Sequence, residues 1–288
     1  MRHLPRSSPY PRRGLLAVLT LGLALTGCSS GNSSGLAGGT LSAAAPAPPT
    51  SAAAAEVTAA SLASGLATVE AAIRNPATPA AEIAGLGRRQ QELYRALADS
   101  PEWQPEVVGL VPPEVRPAVA ANVAADAELS GLAEPRAELP RWTIVLPAPV
   151  DTLVAHYKAA AAAVGVEWQY LAAINLVETR MGRIRGDSSA GARGPMQFLP
   201  TTWDIYGEGG DINSDRDAIL AAARLLKSRG APDDMARALY AYNNSNRYVR
   251  AITAYADVIR ADERTYAAYH AWQVYYGDRL LPEGFTNP

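Results

Sequence analysis

Three observations predict a mainly α-helical protein. Apolar residues recur every three or four positions through successive segments. Capping and breaking residues bracket those segments, as at Asp151 and Gly165 or at Ser214 and Gly230. No stretch sustains a two-residue alternation of apolar and polar side chains, so little or no sheet is expected.

The first element is an export signal, residues 1–27. Arg2, Arg6, Arg12 and Arg13 form a basic start, and Gly14 to Leu25 is a short apolar run. A transmembrane helix needs about 20 apolar residues, so the run has the size of a signal-peptide core. Leu25-Thr26-Gly27-Cys28 follows and resembles the lipobox of bacterial lipoproteins, whose cysteine becomes the lipidated N-terminus. Arg12-Arg13 also fits a twin-arginine signal. Cys28 is the only cysteine, so no internal disulfide can form. A lipid anchor at Cys28 is therefore expected to hold the chain on the cell membrane, facing the periplasm or cell wall. Removing residues 1–27 takes away four arginines and no acid, which moves the net charge from −2 to −6. That balance argues against a nucleic-acid partner.

Residues 28–55 are mostly Ser, Gly, Ala, Pro and Thr and read as a tether. Residues 56–132 form a helical accessory region. Val57, Leu62, Leu66, Val69 and Ile73 make one stripe, ended near Asn75-Pro76; Ile83, Leu86, Leu93 and Leu97 make a second. Pro113 is expected to open a third helix, with Val115, Val119 and Val123 inside it. Residues 133–150 are a proline-rich connector around Trp142 to Leu146. Residues 151–288 form the last domain. One helix runs from Asp151 to Gly165, and another begins near Glu167 and carries Glu178. A glycine-rich loop spans 182–194. Further helices are expected from Asn213 or Ser214 to Gly230 and over 233–243, 246–262 and 264–276.

Glu178 carries the most chemical information. Leu171, Ile174, Glu178 and Met181 share one helical face. An acid on an apolar face loses hydration, which raises its pKa above the usual value of about 4.3. A carboxyl still protonated near neutral pH can give its proton to a leaving group. Arg180, Arg183 or Arg185 could instead pair with it and make it structural.

Three segments stand in order: Glu178-Thr179, then Ser188 to Pro200 (SSAGARGPMQFLP), then Ala241-Tyr242-Asn243. Together they resemble the catalytic domain of soluble-type lytic transglycosylases, with its Glu-Ser, Ser-x-x-Gly-Ala-x-Gly-Leu-Met-Gln and Ala-Tyr-Asn. The resemblance covers about residues 150–264. It implies a lysozyme-like helical domain acting on peptidoglycan, with no cofactor. It implies that Glu178 is acid and then base, and that the Tyr242 hydroxyl meets the catalytic carboxyl. Thr179 stands at the family's Ser. Thr179, Ser188, Met196, Gln197 and Asn243 are then expected to bind substrate or line the cleft. Pro195 replaces the family's Leu, and Ser245 replaces a Gly.

The implied reaction needs one carboxyl. The muramic acid N-acetyl group stabilises the cation-like centre, and Glu178 takes the proton of the sugar's own 6-hydroxyl, giving a 1,6-anhydro end. Most glycoside hydrolases use two carboxylates. Asp187 is the candidate second one in a hydrolytic, lysozyme-like alternative. A non-catalytic glycan-binding lipoprotein is a further alternative.

Asp211, Asn213, Asp215 and Asp217 alternate like the start of a calcium loop, but Arg216 replaces its glycine and Ala222 its last glutamate. They suit a helix N-terminus. His3, His156 and His270 are scattered and offer no metal set. Tyr266, Tyr269, Trp272, Tyr275 and Tyr276 form an aromatic stripe better suited to packing than to sugar stacking.

Overall fold

The computed structural model describes residues 57–132 and 138–287. The export signal, Cys28 and the tether lie outside the described residues, as do residues 133–137 of the connector. No helix among the described residues is long and apolar enough to cross a membrane.

The protein is mainly helical. The N-terminal helices are α1 (Ala59–Arg74), α2 (Ala80–Ala98), α3 (Gln104–Leu110) and α4 (Arg116–Ser130). The rest are α5 (Val150–Val164), α6 (Trp168–Thr179), α7 (Pro200–Tyr206), α8 (Asp215–Ser228), α9 (Met235–Tyr242), α10 (Asn246–Ala261) and α11 (Arg264–His270). Two small antiparallel pairs complete the fold. Strand β1 (Thr143–Ile144) meets β2 (Ile184–Arg185), and β3 (Val274–Tyr276) meets β4 (Arg279–Leu281).

Local chemistry accounts for the helix boundaries. The Thr58 hydroxyl accepts the Ser61 amide at the start of α1, and Ser61 answers with a bond to the Thr58 amide. Gly165 ends α5 in the left-handed conformation, with φ of 73°. Ser214, Asp234 and Ser245 cap α8, α9 and α10 through side-chain oxygens.

Several expectations about elements need correction. Pro113 does not open a helix; α4 starts at Arg116, with Pro117 in its first turn. Val57 is exposed rather than part of the first stripe. The helix expected over 264–276 stops at His270, and Val274 to Tyr276 turn into the β3–β4 hairpin. Helices α3 and α7 have too few residues to print a helical period.

Residues 57–132 share an apolar core with the rest of the described chain. Leu66, Ile73, Leu97 and Val119 are fully buried in the same apolar cluster as Leu171, Ile174, Tyr255 and Tyr269. Helix α4 packs along α10, and α2 lies against α11. Gly87 permits that second contact, since a Cβ there would come within 2.2 Å of the Ala268 carbonyl oxygen.

Buried polar bonds fix the register between these parts. Glu70 is fully buried and accepts from Tyr94 Oη at 2.5 Å and from Gln90 Nε2 at 2.9 Å, with Arg74 as its ion partner. Gln90 accepts from Trp272 Nε1 at 3.0 Å. Gln91 pairs with both backbone groups of Gln273. The aromatic stripe therefore serves packing: Tyr266, Tyr269 and Trp272 are buried in the core.

Candidate active site

Helix α6 places Glu178 one residue before its C-terminus. Leu171 and Ile174 are fully buried on the helix with Glu178, which is 3% exposed, but Met181, expected on the same face, lies beyond the helix end and is buried from the turn. The chain then leaves the helix sharply, with Arg180 and Met181 both at positive φ. This turn starts the loop that runs back beneath the helix end.

Glu178 has no cationic partner among the described residues. Arg183 pairs with Glu283 at 2.5 Å, and Arg185 reaches Asp215 and the Asn213 carbonyl. Arg180 lies over the Trp272 ring, 5.7 Å from its centroid. The bond to Glu178 Oε1 comes from Tyr248 Oη at 2.7 Å. Burial pushes the Glu178 carboxyl up to about 8, and the Tyr248 hydrogen bond opposes that rise. At neutral pH the group is mostly protonated.

The tyrosine that meets the carboxyl is therefore Tyr248, not Tyr242. Tyr242 closes α9, and its hydroxyl donates to the Met196 carbonyl oxygen at 2.6 Å. Its ring stacks on Tyr248, with centroids 6.3 Å apart and planes 5° from parallel. The turn at Asn243 to Ser245 lets α10 bring Tyr248 in above Tyr242. The sequence held a signal for this: Tyr248, Ile252, Tyr255 and Ile259 lie at i, i+4, i+7 and i+11, one buried stripe of α10.

The other expected substrate residues divide between wall and scaffold. Asn243 is buried and lines a cavity together with Glu178. Thr179 is fully buried, with its hydroxyl donating to the Pro195 carbonyl oxygen at 2.6 Å and accepting from the Gly182 amide at 3.0 Å. It clamps the loop and has no surface for a ligand. Ser188 is half-buried and accepts from the amides of Ala190 and Ala192. Met196 is fully buried in the core, behind Tyr242. Gln197 is buried at φ 49° and donates to the Gly194 carbonyl oxygen at 3.0 Å. Gly194 is required there, because at its φ of 73° a Cβ would stand 1.9 Å from the Ile212 carbonyl oxygen.

The cavity beside Glu178 has a volume of about 70 Å³. The N-terminal region builds much of its wall, through Tyr94 and Arg95 of α2 and Asp126 of α4. Tyr248, Tyr255 and Trp272 supply aromatic lining. Asp187 is not in that lining; it is exposed and pairs with Arg193 at 3.1 Å. Among the described residues no group of three or more His, Cys, Asp or Glu is placed to hold a metal ion. Asp211, Asn213 and Asp217 instead bond to one another's backbone at the start of α8.

Comparison with protein-family models, with curated proteins and with solved structures returned no match. A buried, neutral carboxyl held by one tyrosine and facing a cavity can deliver a proton to a bound ether oxygen. Once ionised, it can recover one from a nearby hydroxyl.

Proposed function

We propose that this protein is a peptidoglycan lytic transglycosylase with a lysozyme-like catalytic fold. It cleaves the β-1,4 bond between N-acetylmuramic acid and N-acetylglucosamine and leaves 1,6-anhydromuramic acid ends. The carrying observation is Glu178: buried, held by Tyr248, without a cationic partner among the described residues, and protonated up to about pH 8. The order of Glu178, the loop ending in Met196-Gln197, and Tyr242-Asn243 supports the same reading.

Glu178 first gives its proton to the bridging oxygen as the bond to the anomeric carbon breaks. Such a positioned acid contributes about 10² to 10⁴ in rate. The substrate's N-acetyl oxygen stabilises the electron-poor carbon. The Glu178 carboxylate then takes the 6-hydroxyl proton, and that oxygen bonds to the anomeric carbon. Tyr248 donates to the carboxylate in the interval when it is charged and desolvated. Burial of the site keeps water from competing with the 6-hydroxyl.

A single acid fits the surroundings of Asp187, whose ion pair with Arg193 is outside the cavity. A lipid anchor on Cys28 would keep the enzyme on the cell membrane beside the glycan strands. Replacing Glu178 by Gln removes the proton while keeping the shape. Turnover of purified cell wall by Glu178→Gln should fall by at least about a hundredfold. Equal turnover by parent and variant would leave a glycan-binding lipoprotein as the better account.

A further inference from the structure

The cavity beside Glu178 contains polar groups that this chemistry does not use. Arg180 donates from Nη1 to the Leu176 carbonyl oxygen at 3.0 Å, but its buried Nε has no partner among the described residues. Asp126 of α4 is half-buried and lines the same cavity; no hydrogen bond ties it among the described residues, and its charge acts on Arg180 and Arg95. Tyr255 of α10 lines the cavity too, and its hydroxyl acts electrostatically on Asp126 and Arg180. Three elements thus aim a donor, an acceptor and a hydroxyl into one space. Buried polar groups are normally satisfied, so the unpartnered Arg180 Nε, in a cavity that the half-buried Asp126 carboxyl also lines, marks a place where a ligand can bond to both.

The other charged lining groups are already engaged or lie at the rim. Arg95 donates to the Gly277 carbonyl oxygen at 2.9 Å and covers the Tyr275 ring. Asp99 is exposed. A free carboxylate ligand would suit Arg180 but face Asp126. A secondary amide satisfies both: its carbonyl accepts from Arg180 and its N–H donates to Asp126. Val177, Leu129 and Trp272 offer apolar surface for the alkyl groups flanking the amide.

We infer that this cavity is a subsite for an amide-bearing arm of the glycan, namely the lactyl group of the muramyl sugar joined to its peptide stem. The inference rests on peptidoglycan being the substrate. The sugar's other amide, the N-acetyl group, must stay at the anomeric carbon to assist the reaction. The lactyl amide is the one free to reach α4. The N-terminal helices then have a chemical task, which is to hold the stem while Glu178 acts.

Binding of soluble muramyl fragments, with and without the stem, to the Glu178→Gln chain tests this without turnover. Calorimetry should show the stem-bearing fragment bound about tenfold tighter, the worth of one well-made hydrogen bond. Adding Asp126→Leu should remove most of that preference, leaving what the Arg180 bond supplies, whereas Asp126→Asn should retain more of it. Equal Kd for the two fragments, or a preference undiminished by Asp126→Leu, would overturn the subsite. Damage to the fold would weaken both fragments alike and would also count against it. A failure of the transglycosylase reading would appear separately, in the products released by the parent enzyme.

Discussion

At the residue scale, Glu178 couples function to stability. Its folded pKa is raised from 4.5 to about 8, so the folded state keeps a proton that the unfolded chain releases. Stability from this group is complete below the unfolded value and is lost as pH rises through the window from 4.5 to about 8. The loss approaches about 1.4 kcal/mol per pH unit. Gln does not titrate, so Glu178→Gln should gain stability over the parent across that window and level off above it. Denaturant melts at pH 5 and pH 8 check this; a constant difference would contradict the burial of the acid. Tyr248 belongs to the same argument. Its hydrogen bond favours the carboxylate, so Tyr248→Phe should move the basic limb of the pH–rate profile upward and slow the reaction at its optimum. An unmoved limb would mean that Tyr248 does not act on Glu178. Glu178 was legible in the sequence because an acid interrupted a helical stripe. Tyr248 was obscured because the motif tyrosine, Tyr242, lies six residues before it and the turn between them decides which hydroxyl arrives. Arg180 and Asp126 depend on contacts between segments that no local spacing records.

Elements explain how the site is held. Helix α6 delivers the acid, the 182–197 loop is clamped to it by Thr179 and Tyr242, and α2 with α4 closes the cavity. The close approach of α2 and α11 at Gly87 leaves no room for a methyl group. Gly87→Ala should destabilise the fold by about 1–3 kcal/mol, the usual cost of overpacking. It should also weaken substrate binding, because α2 carries Arg95 into the cavity wall. Thermal melts and KM report the two effects, and an unchanged melt would show that the helices part freely. The long amphipathic helices were readable from their periods, and Gly165 and Ser214 marked two of their ends. Short α3 and α7 were not, and neither was the β3–β4 hairpin. Its aromatic residues continue the helical spacing of α11 although the backbone has already turned.

At the scale of the whole molecule, the N-terminal helices and the domain carrying Glu178 share one core. Heating the chain should therefore give a single cooperative transition whose midpoint is the same by far-UV and aromatic signals. Two separated transitions would mean that residues 57–132 fold independently. The composition and helical periods gave the fold class, but the pattern of 56–132 showed only that it was helical, since a stripe does not name the surface it will meet. The same shared core is why a region outside the Glu178, Met196-Gln197 and Tyr242-Asn243 segments reaches the acid. In the proposed reaction Glu178 works alone and the sugar's own hydroxyl replaces water. Mass spectrometry of the fragments released from purified cell wall tests it most directly. The account predicts muramyl ends lighter by one water than hydrolysed ends; fragments carrying only hydrated reducing ends would contradict it.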